Sequence, residues 1–275
     1  MSTITTSDQV SIHYTSQGSG PTVVLLHGLG SAGCDWQPQI EHLAGRYRAV
    51  TVDMRGHGES ELAKEGYAIE RLARDVLEVM DALTIESAHV MGISMGGALA
   101  FQMAVDAPDR VDSLIIVNSG PTARTGSPRY WLYVQLRKLM AWVVSPAKAG
   151  PKIAARLFPD PAMEDKRQAF IRQIARMNPV AYRKSLFALL RWDVVAHLGG
   201  MRCPTLFLTG AEDYTPPQAK QRFAAMMPNA RVEVVPDAHH ALPMEYPEVF
   251  NACVDRFLEK LESEGDRQTA AAGLP

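Results

Sequence analysis

The chain has 275 residues, is 47% hydrophobic and carries a formal net charge of −2. That size holds one large domain, or a domain with an insertion, and the balanced charge gives no general pull toward nucleic acid or acidic surfaces. Three scattered cysteines, Cys34, Cys203 and Cys253, point to neither a disulfide framework nor a zinc site.

Taken in chain order, residues 3–6 and 11–15 have the pattern of a short opening hairpin, and a turn follows at Gly18–Pro21. Continuous apolar runs of strand length then recur at 22–26, 49–52, 89–91, 114–117, 205–208 and 232–235. Helical spacing lies between them, at 69–83, 95–107, 218–227 and 247–261. Strand alternating with helix predicts a mostly parallel sheet covered by helices, the α/β class. From residue 262 the sequence turns polar and then Ala/Gly-rich, and 266–275 is expected to be a flexible tail. The first residues lack the basic and apolar regions of a secretory signal, and no apolar run is long enough to span a membrane. The expectation is a cytoplasmic protein without stable membrane insertion.

The alternation breaks once. More than 80 residues separate the runs ending at Val117 and starting at Thr205. A compact domain does not leave so long a connection without structure. Helical stretches near 129–144, 147–157, 162–177 and 180–191 predict a helical cap over 119–200, inserted into a core of 1–118 and 201–265. The stretch 119–200 holds 14 Lys and Arg against 4 Asp and Glu, a net of +10, which leaves −12 on the remainder. A basic lid on an acidic body would help hold the lid down or attract an anion; a merely solvated outer face is the plainer reading.

The chemistry centres on Gly92-Ile-Ser94-Met-Gly96, between the third long run and a helical stretch. A strand turning abruptly into a helix here would expose the Ser94 hydroxyl at a strained apex, with glycines where two chains pass closely. A serine hydroxyl is a weak nucleophile and needs a histidine to take its proton and an acid to orient that histidine. Candidates follow the last two strand-like runs: Glu212 or Asp213, then His239 or His240. Both lie where a parallel sheet presents loops at the ends of its strands.

Together with His27-Gly-Leu-Gly30, Asp53-Met-Arg-Gly-His-Gly-Glu-Ser60, Cys203-Pro-Thr-Leu-Phe-Leu-Thr-Gly210 and the closing His240, Glu245, Pro247 pattern, the chain resembles the α/β-hydrolase fold superfamily. Within it the resemblance is to the serine esterase, enol-lactonase and C–C hydrolase group, over about 1–118 and 200–262. It implies a mostly parallel eight-stranded sheet flanked by helices with an inserted helical cap. It also implies a catalytic triad of Ser94, Asp213 and His240. His240 is preferred to His239 because a Glu follows it by five positions and a Pro by seven, and Asp213 is preferred to Glu212 by register. The backbone N–H groups of Leu29 and Met95 are implied as the oxyanion hole. No cofactor and no metal are expected, because neither a phosphate-cradling glycine motif nor a ligand cluster is present.

His27 is expected to shape the oxyanion loop, and Asp53, Arg55 and His57 to tie loops together. Asp193 has a structural role in the same reading. The first cap helix, from Tyr130 to Val144, is apolar almost all round. It is sandwiched, lines a pocket, contacts another copy in a homodimer or touches lipid; Trp131 and Trp142 are the candidate substrate contacts. The leading function is hydrolysis of a small-molecule carboxylic ester through an acyl-enzyme. The alternatives are an enol-lactone or C–C bond hydrolase and, in another class, a hydrolase-fold receptor with little turnover.

Overall fold

The structure is a computed structural model that describes residues 2–124 and 128–272, with side chains over 2–124, 132 and 134–264. Eight strands form one sheet: β1 (Ser2–Thr5), β2 (Ser11–Gln17), β3 (Thr22–Leu26), β4 (Arg48–Val52), β5 (Ala88–Ile93), β6 (Val111–Val117), β7 (Thr205–Gly210) and β8 (Ala230–Val235). Their spatial order is β1-β2-β4-β3-β5-β6-β7-β8. The opening hairpin is antiparallel and also meets β4 antiparallel; all later pairs are parallel. Strands β3, β4 and β6 are buried along most of their length without alternation because helices cover both faces of the sheet.

On one face lie α2 (Ile69–Ala82) and α3 (Met95–Asp106). The first turns Leu72, Val76, Val79 and Met80 inward, and the second is buried almost all round, which its Gly- and Ala-rich sequence permits. The opposite face is covered by α1 (Gln37–Leu43) and α10 (Pro247–Ala272), through Ile40, Leu43, Phe250, Val254 and Phe257. Two turns of helix are too short for periodicity to stand out, so α1 was not among the expected helices. The helix expected to end near Leu261 runs on to Ala272. The Glu, Arg, Gln and Ala of that stretch are good helix formers.

Between β6 and β7 stand α4 (Pro128–Val143), α5 (Pro146–Leu157), α6 (Glu164–Arg176) and α7 (Pro179–Arg191), each within two residues of its expected bounds. They build two small apolar clusters. Phe158, Phe170 and Ile174 pack with Ala241 from the sheet side, and Val134 packs with Leu186 and Leu190. The short helix α8 (Pro217–Ala224) joins β7 to β8, and α9 (Leu242–Glu245) lies between β8 and α10.

Candidate active site

The order of the strands reverses direction between β3 and β5, and ligands in such sheets bind outside the strand C-termini at that point. Ser94 stands there, between the end of β5 and the start of α3, with φ 55° and ψ −114°. Such a backbone is costly for a residue with a side chain, and close packing holds it in place. A Cβ on Gly92 would lie 2.2 Å from the Gly96 carbonyl oxygen, and one on Gly96 would lie 2.1 Å from that of Leu26. The Ser94 amide donates to the Val117 carbonyl, and the Ser119 hydroxyl donates to the Ser94 carbonyl at 2.6 Å.

Asp213 and His240 come together from the loops after β7 and β8. The His240 Nδ1–H donates to Asp213 Oδ1 at 2.6 Å, which leaves Nε2 as an acceptor. The Asp213 side chain is fully buried whereas Glu212 is exposed, so burial separates the two acids. Glu245, whose spacing marks His240 in the sequence, in fact holds the neighbour: its carboxylate accepts from His239 Nδ1 at 2.8 Å and from the His239 amide. His239 is therefore anchored in the loop and not simply exposed.

Burial alone would raise the Asp213 carboxyl. The hydrogen bond and charge of His240, then the charge of Lys220, outweigh it and hold the group well below the usual carboxylate range. Lys220 escaped sequence reasoning. Its side chain is 2% exposed, and its Nζ donates to the second Asp213 oxygen at 2.6 Å. The Thr215 hydroxyl donates to the same oxygen. Asn118 also escaped it. This buried residue, with φ 45°, donates through Nδ2 to the His239 and His240 carbonyls at 2.9 Å each. Its Oδ1 accepts from Thr209 Oγ1 and the Gly210 amide. Asn118 thus joins the end of β6 to β7 and to the histidine loop.

Ser94 and His240 line one cavity of about 480 Å³. Among the described residues the two side chains make no direct hydrogen bond; such contacts are often long until substrate is present. Gly28 and Leu29 line the same cavity. Met95 is the first residue of α3, so its amide has no acceptor within the helix and lies at the positive end of the helix dipole. His27 shapes the adjoining loop: the Met54 amide donates to its Nε2, so its Nδ1–H donates to the Gly28 carbonyl.

The other polar residues serve structure. Asp53 accepts from the Gly33 and Glu59 amides and pairs with His13. Arg55 is buried between Asp75 and Asp8. His57 is wholly buried, and burial followed by the charge of His27 pulls it down to about 3. Asp193 accepts from Thr122 and the Val195 amide at the edge of the helical insert.

Apolar groups from α4 to α7 form much of the cavity wall. On α4 the contributing row is Leu136 and Met140, continued at helical spacing by Val144 just past its end, with Arg137 and Ala141 beside it. Trp142 is not part of that wall: it is 63% exposed and packs under the Arg183 guanidinium and against Phe187. This corrects its place as a substrate contact, because the helical phase turns it about 120–160° away from the row that lines the cavity. The side chain of Trp131 lies outside the described residues. Asp35 is also a cavity residue. Its Oδ2 accepts from Ser31, the Ala32 amide and Gln173 of α6, and burial raises its carboxyl. Tyr214 stacks on the His240 ring at 4.3 Å between centroids, and Arg156 of α5 lies over its ring. Among the described residues there is no cluster suited to a metal ion and no helix long and apolar enough to cross a membrane.

Comparison with known proteins agrees with this architecture. The protein named "Putative carbamate hydrolase RutD" of a Caulobacter species is 32% identical over 246 residues, covering 86% of this chain and 90% of that one. The 3-oxoadipate enol-lactonase 1 of Acinetobacter baylyi is 29% identical, covering 92% of this chain and 94% of its own. A thermophilic esterase from Thermogutta terrifontis, solved with malate bound, superposes with a TM-score of 0.85 at 26% identity, covering 94% of this chain and 98% of that one. A profile of the alpha/beta hydrolase fold matches residues 21–247, and the chain belongs to that family of hydrolases.

Proposed function

We propose that the protein is a serine hydrolase that cleaves a carboxylic ester through an acyl-enzyme, with Ser94, His240 and Asp213 as its triad. The Asp213–His240 hydrogen bond carries this reading, because it leaves the other ring nitrogen free on a residue that lines the same cavity as Ser94. His240 Nε2 takes the proton as the Ser94 oxygen adds to the carbonyl carbon. The oxyanion meets the amides of Leu29 and Met95, and the imidazolium returns its proton to the departing alcohol. Water then repeats the sequence to release the acid. The helical insert acts as the cap that walls an apolar acyl or aromatic group, through Leu136, Met140, Val144, Phe170 and Leu186.

A second reading is favoured by one observation. Lys148, Lys152 and Arg156 occupy successive turns of α5 along the cavity, and that helix carries no carboxylate. A cationic side favours an ester or lactone that bears a carboxylate, and the enol-lactonase relative and the malate-bound esterase are compatible with it. The carbamate named for the RutD relative offers a carbonyl to the same machinery. Turnover of neutral p-nitrophenyl esters, compared with carboxylate-bearing esters and enol-lactones, ranks these substrates. Ser94→Ala should abolish all of it while the variant melts like the parent, and an organophosphonate should label the parent only. Undiminished turnover by Ser94→Ala would refute the serine mechanism, and a parent that neither labels nor turns over any of them would be a receptor.

A further inference from the structure

We propose that Lys220 is a positioning residue that sets the lower end of the pH range in which His240 works as a base; this rests on the triad reading above. Asp213 is held from two sides. His240 occupies Oδ1 at 2.6 Å, and Lys220 occupies Oδ2 at 2.6 Å. Neither the carboxylate nor the ammonium reaches solvent, with side-chain exposures of 0% and 2%. Lys220 is fixed further by donating to the Thr215 hydroxyl and carbonyl. It stands on the first turn of α8, after a Pro216-Pro217 pair that sets the entry of the helix, so its ammonium reaches back to the loop that carries Asp213.

A buried carboxylate facing a histidine with no other partner would strongly favour the imidazolium. Here its charge is already matched by an ammonium. The cluster is neutral overall while His240 is neutral, and it becomes a net cation when His240 accepts the Ser94 proton. Lys220 therefore opposes proton retention by His240. The imidazole stays available as a base at lower pH, and the imidazolium gives up its proton to the leaving group more readily. Among the described residues, the charged or titratable groups beside His240 include Tyr214 stacked on the ring, Arg156 over the Tyr214 ring, and Glu245 engaged with His239.

The test compares the parent with Lys220→Met, Lys220→Gln and Lys220→Arg. It measures kcat and kcat/KM for a p-nitrophenyl ester across about pH 5 to 9, following release at a pH-independent wavelength. Removing the charge in Met or Gln should move the acid limb of kcat/KM upward by about one pH unit. Lys220→Arg should leave the limb where the parent has it. Gln keeps a hydrogen-bond donor for Asp213 and Thr215, so it covers the case in which Met does not fold. A folded Met or Gln variant whose acid limb is unmoved, with kcat lowered uniformly at all pH values, would show a purely structural role and overturn the proposal. Failure of the triad itself reads out separately, as activity retained by His240→Gln.

Discussion

Asn118 offers a test of how far the histidine loop depends on a single buried amide. It makes four side-chain hydrogen bonds, two to the His239 and His240 carbonyls and two from Thr209 and Gly210. Asn118→Ala leaves several of these groups buried without partners, at about 1–3 kcal/mol each. The losses are not additive, because Thr209 keeps a longer contact with the Gly210 carbonyl and the histidine loop can relax. Alanine at φ 45° adds about 1 kcal/mol of backbone strain. The net destabilisation should be about 2–5 kcal/mol. Displacement of the loop by about 1 Å should lower kcat by about 100-fold with a smaller change in KM. Asn118→Asp sharpens the test. It keeps the shape, the tolerance of positive φ and the acceptor for Gly210, yet it sets a carboxylate oxygen against two carbonyls. Thermal melts and steady-state kinetics of both variants on a p-nitrophenyl ester at about pH 8 measure this. If folded Asn118→Asp matches the parent in kcat, the loop is positioned by something other than this amide.

Three further outcomes are expected. Gly96→Ala would put a methyl 2.1 Å from the Leu26 carbonyl oxygen, whereas Gly45 has nothing within 4 Å. The first should cost more than about 4 kcal/mol or abolish soluble expression, and Gly45→Ala should be near neutral; denaturant midpoints compare them. His57, pulled to about 3 by burial, stays neutral in the folded chain while the unfolded chain takes up a proton below its ordinary 6.5. Folded stability should thus fall by about 1.4 kcal/mol per pH unit on this account as pH drops from 6.5 toward 3, and His57→Phe should lose that slope; equal slopes in parent and variant, by denaturation at several pH values, would count against it. Met140 lines the cavity and Trp142 does not. Met140→Ala should change the kcat/KM ratio of long to short acyl esters about tenfold, and Trp142→Ala should leave the ratio alone.

Much of the site was legible in the sequence because its constraints are local. The Gly92-x-Ser94-x-Gly96 elbow is a backbone requirement, and glycines fall where the structure leaves no room for a Cβ. Apolar runs without alternation announce strands covered on both faces, and a long interval without strands announces helices between β6 and β7. The two histidines could be ranked only by resemblance, since adjacent residues share one composition; the structure separates them by partner, Asp213 for His240 and Glu245 for His239.

What packing alone decided concerns direction and burial. A lysine on a short polar helix looks solvated, yet α8 docks so that Lys220 is buried against Asp213. An asparagine after a strand looks like a turn residue until β7 and the histidine loop close around Asn118. On α4 the composition is apolar on every side, so it could not say whether Met140 or Trp142 faces the cavity; the angle at which the helix lies on its neighbours did. Chain order fixes which residues can be near the strand ends, because covalent geometry is local. Desolvation and charge pairing depend on what arrives from elsewhere in the chain, and those contacts exist only once the helices have packed.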